Sequence, residues 1–171
     1  MTSHSASHSF LFGVDRRVLA LAVARMADAL GNSFLIIVLP LYIASGTVTG
    51  EVFGFTESMI TGVVLALFGI ASSLTQPFAG RLSDWVGARK RFVLGGLLVF
   101  SLANLSFLWA DEYWMLFVIR VVQGLAAAFT ITASIALVNE MSEMKSRGGH
   151  MGVYNAFRLV GFGAGPIAAS L

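Results

Sequence analysis

Apolar residues in this chain come in long runs separated by short polar connectors. They do not fall into the stripes that mark an element with one dry face. A helix needs about 20 mostly apolar residues to cross a bilayer, and five stretches qualify. They read VLALAVARMADALGNSFLIIVLPLYI (about 18–43), MITGVVLALFGIASSLTQPFAG (about 59–80), FVLGGLLVFSLANLSFLWA (about 92–110), YWMLFVIRVVQGLAAAFTITASIALV (about 113–138) and HMGVYNAFRLVGFGAGPIAASL (about 150–171). Lipid offers the backbone no hydrogen-bond partners, so a span must be a helix or part of a closed barrel. Barrel strands would be short alternating segments, and none occur. The pattern predicts an all-α integral membrane bundle of five helices.

Composition agrees. The 171 residues are 57% hydrophobic and 12% charged, with mean hydropathy +0.82; soluble domains carry roughly twice that charge. With no cysteine, a disulfide framework and a thiolate metal site are excluded. The polar N-terminal MTSHSASHSF reads as disordered, within a tail over residues 1–17. The first span is too long and too polar for a cleaved signal peptide.

Charge sets the orientation. Arg16 and Arg17 precede the first span, Arg81, Arg89, Lys90 and Arg91 join the second to the third, and Lys145 and Arg147 join the fourth to the fifth. Segments 44–58 and 111–112 hold Glu51, Glu57, Asp111 and Glu112 but no Lys or Arg. The positive-inside rule therefore places the N-terminus in the cytoplasm, in a multi-pass protein of the plasma membrane. Trp109, Tyr113 and Trp114 fall where an outer aromatic belt would lie.

The connector GRLSDWVGARKR, residues 80–91, holds more than an inside-facing loop requires. Gly80 and Gly87 suit tight turns or close backbone approach. Asp84 could cap a helix or face the positive end of its dipole. This stretch resembles the signature loop of the major facilitator superfamily, with Trp85 and Ala88 where that family usually has basic residues. RVVQGLAAA, with Arg120, Gln123 and Gly124, resembles the family's fourth-helix motif. GFGAGP, with Gly161, Gly165 and Pro166, resembles the fifth-helix motif of its antiporters, although the following IAAS departs from the usual glycine pair. The resemblance implies that Asp84, with Arg89 and Lys90, belongs to a cytoplasmic latch that holds two halves of a transporter together. It also ascribes a part in proton coupling to Arg120, whose alternative reading is a purely structural hydrogen-bonding role.

Family members have about twelve helices in two six-helix halves, each made of two inverted three-helix repeats. Five spans are one short of a half and leave Leu171 at the outer face. The expectation is an incomplete N-terminal domain over 18–171 that lacks the C-terminal half. RMAD in the first span and RVVQ in the fourth each place a polar residue three after an arginine, on one helix face; these spans correspond in the repeat.

Four charges lie at depth: Arg25, Asp28, Arg120 and Arg158. Each costs roughly 2.5–3.5 kcal/mol at a helix centre, so each needs a partner or an aqueous cavity. Asp28 reads either as a proton-coupling or substrate-binding carboxylate or as the partner of Arg25. Arg25 could instead snorkel to the interface. Gln123 could serve coupling or structure. Arg158 shares a face with Gly161 and Gly165 and could line a cavity or meet the other half. Gly161, Gly165 and Ala169 form a small-residue stripe for close helix contact, read either as packing against the opposite half or as ordinary helix packing. Pro166 should bend its helix; Pro40 and Pro77 should mark bends or ends.

The expected function is secondary active transport, a proton-coupled efflux or exchange of a small molecule by alternating access. Three arginines against one aspartate at depth suit an organic anion or neutral metabolite better than a cationic drug. The alternative is a truncated, non-transporting membrane fragment or scaffold. No enzyme, cofactor, metal or nucleic-acid signature appears: GFGAGP follows no strand, and His4, His8 and His150 are scattered through polar segments.

Overall fold

The computed structural model describes residues 10–11, 14–50, 54–142 and 146–170, with side chains from Arg16 onward. Five long helices follow one another: α1 (Arg16–Ala44), α2 (Glu57–Val86), α3 (Arg89–Ser106), α4 (Tyr113–Met141) and α5 (Arg147–Ala169). A 3-10 turn, Phe107–Trp109, extends α3. Ahead of α1, β1 (Phe10–Leu11) pairs antiparallel with β2 (Val14–Asp15), placing Phe10 opposite Asp15. Residues 1–9, with His4 and His8, lie outside the described residues, as do Glu51, Lys145 and Leu171. The tail expected over 1–17 gives up Arg16 and Arg17 to α1, which fits arginine's good helix propensity.

Among the described residues, α1, α2, α3 with its 3-10 extension, and α4 are long and apolar enough to cross a membrane. The fifth helix forms but is not among these four. Its 23 residues include Arg147, His150, Asn155 and Arg158, which dilute its apolar character.

The largest departure from expectation is at the end of α2. The stretch read as a loop is mostly helix, because α2 continues to Val86 and α3 begins at Arg89. Gly80 and Asp84 are therefore helical, and Pro77 lies inside α2 rather than at its end. Pro40 likewise lies inside α1. Gly87 makes the turn: its φ of 67° is left-handed, and its N–H donates to Ser83 O at 3.1 Å. A residue with a Cβ adopts that conformation only with strain, which makes glycine the favoured helix terminator. Asp84 caps nothing, since the N-cap of α3 is Ala88, without a side-chain bond. At its other end, α2 starts on Thr56, whose hydroxyl accepts from Met59 N–H at 3.4 Å.

Helix α1 packs along α5, α4 packs along α2, and α3 also lies on α4. Exchanging one three-helix repeat for the other converts the α1–α5 pairing into the α4–α2 pairing, as an inverted repeat requires. Glycines allow these approaches. A Cβ on Gly161 would sit 2.3 Å from Met26 O, and one on Gly165 would sit 2.6 Å from Ser33 Cβ. A Cβ on Gly124 would sit 2.7 Å from Phe68 O, closing the α2–α4 contact. The Ser33 hydroxyl donates to Phe162 O at 2.7 Å across the α1–α5 seam. At Gly161 and Gly165 the small-residue stripe of α5 is thus occupied by α1 of the same bundle, which favours ordinary helix packing over packing against the opposite half. Pro166 lies within α5, one residue beyond Gly165.

Apolar clusters fill both ends of the bundle. Leu39, Ile43, Ile60, Val64, Tyr113 and Leu116 pack at one, and Val18, Ala22, Val138 and Tyr154 at the other. Thr49 N–H donates to Asp111 O at 2.9 Å, so the α1–α2 and α3–α4 connectors meet at one end.

Gly161→Leu should force α1 from α5 and cost at least the ~1–3 kcal/mol typical of overpacking. The same change at Gly163, where a Cβ would meet nothing within 4 Å, should leave folding intact. Monodisperse yield and thermal denaturation in detergent would measure the difference.

Candidate functional site

Helix α4 carries the centre of the site. Arg120 is 1% exposed and Gln123 0% exposed, although both lie in a run of apolar residues. Their three-residue spacing puts them on one helix face, and Arg120 Nη1 donates to Gln123 Oε1 at 3.2 Å. The same nitrogen donates to Asn32 Oδ1 of α1 at 3.4 Å. Gln123 Nε2 donates to Asn104 Oδ1 of α3 at 2.9 Å, and Asn104 Nδ2 donates to Phe100 O at 3.0 Å. The Arg120 guanidinium carbon lies 5.8 Å from the centre of the Phe68 ring on α2, within range of a cation–π contact. Arg120 on α4 is thus met by α1 and α2, and α3 joins the network through Gln123.

The network is incomplete on the arginine's side. Arg120 Nε and Nη2 are buried and have no hydrogen-bond partner among the described residues. No carboxylate bonds to this guanidinium there. A buried charge without a counter-ion is costly unless something else completes it. Two fixed N–H donors can receive a carboxylate, another anion or a neutral acceptor.

The second polar centre is on α1 and α5. Arg25 Nη1 bonds to Asp28 Oδ2, so Asp28, 6% exposed, is ion-paired rather than free. The Arg25 side chain is buried against the bundle and does not snorkel. Arg158 on α5 is half-buried and close enough to Arg25 for the two charges to act on each other. Among the described residues it has no hydrogen bond or ion pair. Nearby, the Tyr154 hydroxyl shares a 2.6 Å hydrogen bond with Ser134 of α4. The two arginine pairs noted in the sequence, Arg25 with Asp28 and Arg120 with Gln123, both form, one turn apart in each case.

A third cluster lies at the α2–α3 turn. Arg89 Nη2 donates to Asp84 Oδ1 at 2.7 Å, and Arg89 Nη1 pairs with Glu140 Oε1 near the end of α4. Arg89 thus ties three helix ends together. Lys90, next to Arg89, is exposed and joins no such pair among the described residues. A Cβ on Gly80 would meet nothing within 4 Å, so no close approach among the described residues requires glycine there.

Asn32, Asn104, Phe68 and Glu140 were not singled out from the sequence. Asn32 and Asn104 carried a usable signal as lone amides inside predicted spans; Glu140 lay just beyond a predicted span end. His150, expected in a polar segment, is buried and shares a 2.7 Å hydrogen bond with Ser142.

Residues 21–171 match the family model for the Major Facilitator Superfamily. The chain belongs to the major facilitator superfamily. It is similar to Multidrug resistance protein 2 of Bacillus subtilis (strain 168), at 33% identity over 137 residues, or 80% of this chain and 32% of that protein. It is also similar to Quinolone resistance protein NorA of Staphylococcus aureus, at 27% over 80% of this chain and 33% of that protein. Citrate exporter 1 of Aspergillus niger is 27% identical over 61% of this chain and 20% of its own length. The chain spans about a third or less of these relatives. Family and apolar helices together make it a multi-pass membrane protein of that superfamily.

Gln123→Leu should strand the partners on either side, Arg120 and Asn104, at about 1–3 kcal/mol for each group left unpaired. Gln123→Glu supplies the missing counter-charge and should stay folded. Thermal denaturation in detergent would rank wild type, Glu and Leu variants in that sense.

Proposed function

We propose that this chain forms part of an N-terminal half of a proton-coupled exporter of small molecules that works by alternating access in the plasma membrane. The observation that carries this reading is Arg120, buried on α4 against α1 and α2, with two donor nitrogens unpartnered among the described residues. A residue so costly to bury is expected to serve transport. The multidrug and quinolone resistance names of the relatives support outward transport of a small molecule.

Asp28 is the proton acceptor in this reading. Protonating it removes the charge that holds Arg25, leaving Arg25 beside Arg158 with no acid between α1 and α5. Proton binding thereby alters the charge balance across a seam that Gly161 and Gly165 keep tight. Asp84, Arg89 and Glu140 act as the cytoplasmic latch and meet the C-terminal half when the site opens outward. Arg120 takes an acidic or hydrogen-bond-accepting group of the substrate, which favours an organic anion or neutral metabolite. The citrate named for one relative is such an anion.

The complete polypeptide that carries this chain, reconstituted in proteoliposomes, is expected to transport only while a pH gradient is imposed. Arg120→Gln and Asp28→Asn should each slow initial transport roughly tenfold or more, the loss expected from one charged hydrogen bond. Equal rates with and without the gradient would sink the coupling. Transport of lipophilic cations, abolished by Asp28→Asn but untouched by Arg120→Gln, would overturn the substrate class.

Orientation has a separate test, because the chain contains no cysteine. A single Thr47→Cys should react with an impermeant maleimide on intact cells. Ala88→Cys should react only after permeabilisation.

A further inference from the structure

An apolar groove of about 480 Å³ runs along α3, walled by α2 and α4. Leu82 and Val86 form one wall, and Phe92 and Phe129, stacked with ring centres 5.7 Å apart, lie within it. Arg91 stands at the end nearest the α2–α3 turn. It is exposed, and its side chain has no hydrogen bond or ion pair among the described residues. Trp85 is 86% exposed and lies three residues from Leu82, on the same side of α2. A tryptophan and an arginine at one end of an apolar channel are what the headgroup zone of a bilayer favours.

The floor of the groove shows that it is left open. Gly95 and Gly96 are adjacent in α3, but only Gly96 is required by packing, since a Cβ there would lie 2.2 Å from Thr130 Oγ1. A Cβ on Gly95 would meet nothing within 4 Å. Glycine weakens a helix interior, and helix packing within this chain gives no reason for it at position 95. Its one consequence is the space above it.

From Ala88 to Val99 the groove follows about 16 Å of helix, a length that takes much of an extended acyl chain, and its lining is apolar along that length with Arg91 at one end. We propose that this groove holds one acyl chain of an anionic phospholipid, with the lipid phosphate on Arg91 and Trp85 beside the headgroup. Anionic lipid is attracted to basic residues just outside a span at about 1 kcal/mol per residue, or roughly fivefold in affinity.

Native mass spectrometry of the detergent-purified chain, supplied with equal phosphatidylglycerol and phosphatidylcholine, tests this. Wild type should keep one lipid, with phosphatidylglycerol preferred about fivefold. Arg91→Gln should bring the two lipids to near equality. Gly95→Leu, whose Cβ meets nothing within 4 Å and whose side chain would occupy the groove, should lower retention of both. Arg147→Gln, an exposed arginine on α5, should change neither. Equal retention of the two lipids by wild type would overturn the proposal. So would a preference unaltered by Arg91→Gln, which decides the matter even if Gly95→Leu fails to fold. A dimer without lipid, its interface broken by Gly95→Leu, would assign the groove to a second copy instead. The measurement involves no transport or pH gradient, so its outcome is independent of the proposed function.

Discussion

Hydrocarbon offers a peptide group nothing to bond to, and every feature of this bundle is arranged around that fact. Backbone polarity is settled inside each helix, but helices in lipid gain little from hydrophobic attraction to one another. Close packing and a few polar bonds must hold them together. The chain supplies both. Gly161 and Gly165 let α5 reach the backbone of α1, Gly124 lets α4 reach α2, and Gly96 lets α3 reach α4. Where backbones approach less closely, amides and hydroxyls cross the gap: Asn32 to Arg120, Gln123 to Asn104, and Ser134 to Tyr154.

The same constraint decides what could be read in advance. Runs of apolar residues reveal spans because lipid demands them, and α1 to α4 follow from hydropathy alone. Helix ends are less visible, since hydropathy reports where lipid stops and not where helix stops. GRLSDW is polar enough to leave the membrane yet remains helical to Val86, because its arginine and aspartate can face water while the backbone bonds continue. Gly87 was visible as a turn residue, and its left-handed φ accounts for that. Gly80 was visible by type, but nothing around it needs glycine.

The site was half legible. A charge inside a span stands out, so Arg25, Asp28, Arg120 and Arg158 could be picked singly, and three-residue spacing gave the local pairs Arg25–Asp28 and Arg120–Gln123. Contacts between helices could not be read this way. Which amide meets Arg120 depends on how α1 and α3 rotate about α4, and no local spacing encodes that rotation. The fate of the α5 stripe depended on the same unknown. Small residues announce a close contact but not whose backbone fills it, and here α1 does.

These contacts divide the bundle unequally. Helix α5 is locked to α1, while α2 and α3 are locked to α4; contacts between the two groups are sparser. The bond from Arg120 to Asn32 crosses that boundary at 3.4 Å, longer than the others in its network, and the Ser134–Tyr154 pair crosses it nearer the other end. Arg89 lies wholly on one side, joining the ends of α2, α3 and α4 through Asp84 and Glu140. Polar groups at the boundary hold together what glycine packing does not. A change of charge on Arg120 or its partners therefore acts where the two groups meet, whereas the same change at Arg89 acts within one of them. That difference follows from position alone. It places Arg120, and not Arg89, at the boundary between the two groups of helices.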